Sequence, residues 1–158
     1  MLKNQSALFN LSQSITYLNC AYMSPLLKTV EQVGIDGIKK KRNPVDVKPD
    51  DFFTDTEELR KTFGKIINTH AYERIVIIPS VSYGMANVVK NVKLDAKDEV
   101  VVLGEQFPSN YYPWQSACKE QGARLITVSP PKTLENRGKR WNEKILEAIN
   151  NHTKIVAL

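Results

Sequence analysis

Two rhythms of apolar residues alternate along the chain. Short, mainly apolar runs, Ile75-Val-Ile-Ile78, Val100-Val-Val-Leu103, Leu125-Ile-Thr-Val128 and Ile155-Val-Ala-Leu158, are each preceded by a charged residue. That is the pattern of strands buried on both faces of a parallel sheet. Between the runs, apolar residues recur at helical spacing: Met85, Val88, Val89 and Val92; Tyr111, Trp114 and Cys118, with Gly122 as a stop; Trp141, Ile145, Leu146 and Ile149. Each set forms one apolar stripe on a helix. Pro113 is expected in the first turn of its helix, where a missing N–H does no harm. Four strands, over residues 75–78, 98–103, 123–128 and 154–158, separated by helices predict an α/β fold: a mainly parallel sheet with helices on both faces.

The first half of the chain reads differently. Residues 1–14 form a surface arm and residues 15–18 a short extended piece. Ser24 before Pro25 then starts a helix that runs to about Arg42. Leu26, Val30, Val33 and Ile38 are expected to face a core, with Gly34 and Gly37 weakening the helix. Thr54-Asp-Thr-Glu57 has the spacing of a capping box, and the stripe Leu59, Phe63, Ile66, Ile67 follows it.

Length and composition narrow the possibilities. At 158 residues the chain suits a single domain spanning 1–158. With 42% hydrophobic and 25% charged residues it is a folding sequence, not a disordered tail. No apolar run approaches the ~20 residues that cross a bilayer, and the amino terminus lacks the apolar core of a secretory signal. The expected location is cytoplasmic, with no membrane partner. Cys20 and Cys118 are far apart and only His70 and His152 are present, so no metal site and no disulfide framework is expected. Cys118 reads as a small core residue, and both histidines as surface residues in loops that precede strands. The net charge of +5 raises the question of nucleic acid, but the one basic run, Lys39-Lys-Lys-Arg42, suits a solvated helix end and has no aromatic partners. No nucleic-acid partner is expected.

Candidate chemistry gathers at the carboxyl ends of the expected strands. Pro79-Ser-Val-Ser82 joins a strand to a helix, so the hydroxyls of Ser80 and Ser82 fall at a helix entrance, where unpaired amides and the positive dipole end suit an anion. Read alone, the serines are ordinary helix caps, and the anion cradle is the alternative. The loop after Leu103 emerges on the same rim and carries Phe107, either a lid over the core or a flat face for a ring. No glycine-rich dinucleotide or nucleoside-triphosphate motif occurs.

Three stretches, taken together, resemble one family. Tyr17-Leu-Asn-Cys-Ala-Tyr-Met-Ser-Pro25 is similar to the "YLNNAA…GP" opening of the class V aminotransferases, Pro79-Ser-Val-Ser-Tyr-Gly-Met-Ala86 to their "GTTEAIN" phosphate loop, and Gln106-Phe-Pro-Ser-Asn-Tyr-Tyr-Pro-Trp-Gln115 to their "EHHANIVPWQ". The order and separations also match, across nearly the whole chain. The family comprises pyridoxal 5'-phosphate enzymes of fold type I, among them cysteine desulfurases, selenocysteine lyases and isopenicillin N epimerase.

The resemblance implies that the backbone of Val81 and the backbone and hydroxyl of Ser82 hold the cofactor phosphate. It puts Phe107 against the pyridine ring, where many relatives have histidine, and Asn110 at a polar position of the same motif. Ala21 and Tyr22 fall near the substrate mouth. Phenylalanine stacks but cannot relay protons, which departs from a standard cysteine desulfurase and leaves transamination, desulfuration or other lyase chemistry, and epimerisation open. The family's aspartate under the pyridine nitrogen and its Schiff-base lysine fall beyond residue 158. The chain is therefore expected to be the amino-terminal portion of an incomplete large domain, inactive alone, from an enzyme that acts on an amino acid and forms a homodimer. A complete, non-catalytic α/β binding module with an anion site is the alternative expectation.

Overall fold

The computed structural model describes residues 3–12, 14–20 and 23–158. They divide into two units, Met1–Ile75 and Val76–Leu158.

The second unit holds the sheet. Strand β1 (Glu99–Leu103) is flanked by β2 (Arg124–Val128) and β3 (Thr153–Ala157), both parallel to it, in the order β2–β1–β3. As the central strand, β1 is covered on both faces, and Val100, Val101 and Val102 have no exposed surface. Helix α3 (Val81–Asn91) leads into β1, α4 (Pro108–Gln121) joins β1 to β2, and α5 (Arg137–Ala148) joins β2 to β3. Val100 and Val102 pack with Leu94 and with Trp114, Ala117 and Cys118 of α4, and Met85 and Val89 of α3 close around them. Ile155 and Ala157 of β3 complete this layer. Helix α5 lies against β2 and is pinned there by Trp141, whose indole N–H donates to the Val128 carbonyl at 3.3 Å. By strand alternation Glu99 faces away from Val100, and Asn150, just past α5, donates to its carboxylate at 2.7 Å. The fold is α/β with helices on both faces, as expected.

The fourth expected strand is not formed. Residues 75–78 carry no strand pairing, and Val76, Ile77 and Ile78 are 76%, 50% and 42% exposed. A run of branched aliphatics favours extended backbone, but a strand needs hydrogen-bonding neighbours, and none of the described residues supplies them. The remaining strands lie within a residue of their expected bounds. Helix α4 begins earlier than expected, at Pro108, so Pro113 sits inside it and not in its first turn. Gly122 ends it at φ 76°, a left-handed conformation that suits glycine.

The first unit contains α1 (Lys28–Lys40) and α2 (Thr54–Ile66) with short 3-10 turns between them. Helix α1 starts after Leu27, and Ser24 does not cap it: its hydroxyl donates to the Cys20 carbonyl at 2.7 Å. Leu26, Val30, Val33 and Ile38 are at least half exposed, against the expected core role. Amphipathic spacing identifies a face, not what covers it. Thr54 is the first helical residue of α2, not its cap, and its hydroxyl donates to the Asp50 carbonyl.

The amino-terminal rim of the sheet is stitched by charge. Arg124 pairs with the buried Glu99, and Lys154 pairs with Asp98 at 2.8 Å. The Lys154 contact holds the Asp98 carboxyl below its ordinary range, helped by the Asp95 amide.

Two predictions follow from this core and its rim. Trp114→Ala, at a site 2% exposed, is expected to cost about 3–5 kcal/mol, whereas Val76→Ala is expected to stay within about 0.5 kcal/mol; urea unfolding followed by Trp141 fluorescence reads both. A buried strand at 75–78 would instead make the second change as damaging as a core truncation. Because the folded Asp98 pKa is depressed, its stabilisation is complete above the ordinary aspartate value and is lost as pH falls through the folded one. Lowering the pH from about 5 to 3 should then reduce the urea midpoint more in the wild type than in Asp98→Asn.

Candidate functional site at the carboxyl rim of the sheet

The site is built by two helix starts brought to one edge. Helices α3 and α4 pack side by side, and their carboxyl ends are joined by Gln121, whose side chain accepts from the Leu94 amide at 2.9 Å and donates to the Val92 carbonyl at 3.5 Å. With their last turns tied together and both packed on the Val100–Val102 face, the helices run parallel, so their amino termini share the opposite rim. That rim lies beyond the carboxyl end of β1. The chain leaves β1 for β2 on one side and returns to β3 on the other. Such a reversal in strand order opens a crevice past the strand ends, the usual ligand position in an open α/β sheet.

Ser80 resolves its two readings locally. It is the N-cap of α3, and its hydroxyl accepts the Tyr83 amide at 3.1 Å while its carbonyl accepts the Gly84 amide. Capping therefore uses Ser80 and leaves the next two residues. The amides of Val81 and Ser82 make no hydrogen bond to a described residue, and the Ser82 hydroxyl is exposed beside them. Two unpaired N–H groups at the positive end of an 11-residue helix form an anion seat with a hydroxyl at its edge. Gly84, one turn on, lets the helix approach Ile78: a Cβ built there would lie 2.5 Å from the Ile78 Cδ1.

Phe107 is the residue before α4 and is 61% exposed on this rim. Asn110, in the first turn of α4, is partly buried, and its amide donates to the Phe107 carbonyl at 3.0 Å. The structure thus brings the starts carrying Val81 and Ser82, and Phe107 and Asn110, to the same edge. Ala21 and Tyr22 lie outside the described residues.

Other candidates fall away from this edge. Lys154 sits at the start of β3, at the opposite rim, and is held by Asp98, which raises its pKa. Cys118 is buried among apolar residues, and burial pushes its thiol pKa up, which suits a core residue and not a nucleophile. Among the described residues no group of His, Cys, Asp or Glu could hold a metal, and no helix is long and apolar enough to cross a membrane.

Residues 44–158 match the sequence pattern of the aminotransferase class-V proteins. The chain belongs to the aminotransferase class-V family. Relatives of this class-V chain include probable cysteine desulfurases of Staphylococcus aureus and Staphylococcus epidermidis, each 32% identical over 111 residues, covering 65% of this chain and 24% of the relative. The chain thus spans about a quarter of the length of these curated relatives. A solved structure of a lysine-to-alanine mutant of C-DES, described as having glycine covalently linked to its PLP cofactor, superposes with a TM-score of 0.65 at 17% identity. It covers 89% of this chain and 37% of its own. At that identity the likeness is one of fold, and it carries the α/β architecture described above.

Sequence reasoning did not find the role of Gln121, since a polar residue at the end of a helix gives no sign of the loop it will tie. It also missed the small cleft on the β2 side of the same rim, where Gln106, Tyr111 and Thr127 meet. Spacing alone does not bring residues 106 and 127 together.

The cap is tested by Ser80→Ala, which is expected to lower stability by about 1 kcal/mol, while Ser80→Asp retains a cap acceptor and stays near wild type. Chemical denaturation of the three proteins checks the order.

Proposed function

We propose that this chain forms the phosphate-holding part of a pyridoxal-phosphate site in a class-V enzyme acting on an amino acid. The observation that carries the reading is the pair of unpaired amides at Val81 and Ser82, on a rim shared with the exposed ring of Phe107. These residues fit the group. A dianionic phosphate needs N–H and O–H donors and a positive field, and the start of α3 supplies both. A flat heteroaromatic ring needs an aromatic face, and Phe107 supplies one. Val81 and Ser82 would hold the phosphate, Phe107 would stack, and Asn110 offers an amide side chain beside the stacking position. When bound, pyridoxal phosphate supplies an electron sink for bonds broken at the α-carbon of an amino acid.

The chain's own residues limit what each can do in such a reaction. Ser82 and the two amides bind and orient, and they move no proton. The Phe107 ring excludes water from one face but has no proton to give, unlike a histidine in that place. Proton transfer must therefore be assigned to groups other than the stacking residue. This separates the chain from a desulfurase that relies on a histidine there, even though the curated relatives quoted above carry the name probable cysteine desulfurase. We place the reaction among amino-acid transamination, lyase and epimerisation chemistries. Lys154, locked to Asp98 at the far rim, is not the amine that bonds the cofactor.

Calorimetric titration tests the phosphate seat directly. Pyridoxal phosphate is expected to bind the wild-type chain and to be displaced by inorganic phosphate, while pyridoxal without the phosphate binds at least about tenfold more weakly. Ser82→Asp, which sets a carboxylate among the donors, should lose about tenfold or more, the range for a hydrogen bond to a charged group. Equal binding of pyridoxal and its phosphate, or no loss in Ser82→Asp, would overturn the assignment.

A further inference from the structure

The charge of the second unit is not spread evenly. Outside residues 129–144 its six basic and six acidic residues balance, whereas within that stretch Lys132, Arg137, Lys139, Arg140 and Lys144 stand against Glu135 and Glu143. The excess sits in the loop that leaves β2 and in the first two turns of α5.

Helix α5 breaks local rules there. The positive end of a helix dipole favours acidic side chains, yet the first turn of α5 holds none, and Arg137, Lys139 and Arg140 occupy it instead. No side chain caps its first amides. Arg140 and Lys144, four residues apart, form a like-charge pair, which weakens a helix. Of the five cations only Lys139 meets a carboxylate among the described residues, that of Glu143 at 4.0 Å, with both side chains largely exposed. Arg137 is half-buried without a counter-charge, although charged side chains are seldom drawn out of water unpaired. None of this serves the core, since α5 is held on β2 by Trp141. Local rules broken together without a packing gain mark a functional surface.

The geometry says what would fit. Arg137, Arg140 and Lys144 share one stripe of the helix, rising about 4.5 and then about 6 Å between members. Carboxylates on alternate residues of an extended chain recur about every 6.8 Å, close to this spacing, and guanidinium groups hold carboxylates through paired N–H donors. One turn ahead of the stripe stands Leu134, 81% exposed, its carbonyl accepting the Arg137 amide at 3.4 Å. A nucleic-acid duplex, with one charge per about 1.7 Å, would run past the stripe onto Glu143 and Glu147, and the one aromatic residue of α5, Trp141, is turned to β2 and not to a base. We propose that this edge, Leu134 with Arg137, Arg140 and Lys144, docks an acidic segment of a partner protein that carries an apolar residue beside its carboxylates. The surface uses none of the residues given to the phosphate seat, so it stands whether or not pyridoxal phosphate binds at Ser82.

The test uses the 158-residue chain and three fluorescein-labelled probes: the peptide Leu-Glu-Asp-Glu-Asp-Glu, the same peptide with Gln and Asn in place of its acids, and a DNA duplex. Fluorescence anisotropy is expected to show saturable binding of the acidic peptide, severalfold weaker at about 300 mM salt than at about 50 mM as screening sets in, and weaker binding of the other two probes. In the ¹⁵N-labelled chain the acidic peptide should shift the amides of Leu134, Gly138, Arg140 and Lys144. Arg140→Glu/Lys144→Glu should lower its affinity at least about tenfold. Lys90→Glu/Lys119→Glu, the same change in net charge at exposed positions of α3 and α4, should leave it within about twofold, because screening confines each charge to its own surface. No saturable binding of the acidic peptide, equal binding of the neutral one, tighter binding of the duplex, equal losses in the two double variants, or shifts confined to Val81 and Ser82 would each overturn the proposal. The wild-type shift map decides the matter even if a variant fails to fold, and it separates a failure here from a failure at the phosphate seat.

Discussion

The burial of β1 on both faces is the constraint on which the second unit depends. Val100, Val101 and Val102 lose all their exposed surface, and by rough area arithmetic each buried valine side chain is worth about 1.5 kcal/mol or more. That burial needs a strand on either side and helices above and below, and those requirements set the chain path. One crossover runs through α4 to β2, and the other through α5 to β3, on opposite sides of the central strand. The reversal of direction at β1 is what leaves a crevice past its carboxyl end. Site and core are therefore two results of one arrangement: what buries the valines also brings the start of α3 and the start of α4 to a shared edge.

The two ends of the sheet divide the electrostatic work. At the amino rim, opposite charges are paired, Glu99 with Arg124 and Asp98 with Lys154, and Asn150 adds a neutral hydrogen bond to Glu99. The exposed members of these pairs contribute little to stability individually. The buried Glu99 needs its partners, because a desolvated carboxylate without them is costly. At the carboxyl rim, instead, two amides on α3 make no hydrogen bond to a described residue. Exposed polar groups left unmatched by the fold are the ones available to ligands, and here they gather as donors at the start of α3.

The fold was legible in the sequence wherever a run could be read together with its neighbours. The strands at 99–103, 124–128 and 153–157, Gly122 as a stop and Trp114 as core all follow from period and composition. The runs at 75–78 and 100–103 are both wholly aliphatic and have different fates, because branched aliphatics specify extended backbone but not a partner. The stripe of α1 shows the helical form of the same limit. Leu26, Val30, Val33 and Ile38 keep the right spacing and remain exposed. Periodicity measures what a segment offers to a core, and only tertiary structure decides whether the offer is taken up.

The candidate site was legible for a related reason, and only in part. A helix entrance after a strand is a local feature, so Val81 and Ser82 could be picked out, and the structure sharpens this by assigning the cap to Ser80 alone. That division matters chemically. A hydroxyl can accept one N–H and still donate its own proton, but the Ser80 oxygen is oriented by the Tyr83 N–H it accepts, which limits where its proton can point. With Ser80 committed to the cap, the Ser82 hydroxyl remains free to donate, and the Val81 and Ser82 amides are held in place by a helix whose start is already secured. The small cleft at Gln106 was not legible, since it depends on Thr127 meeting Tyr111 across the sheet edge.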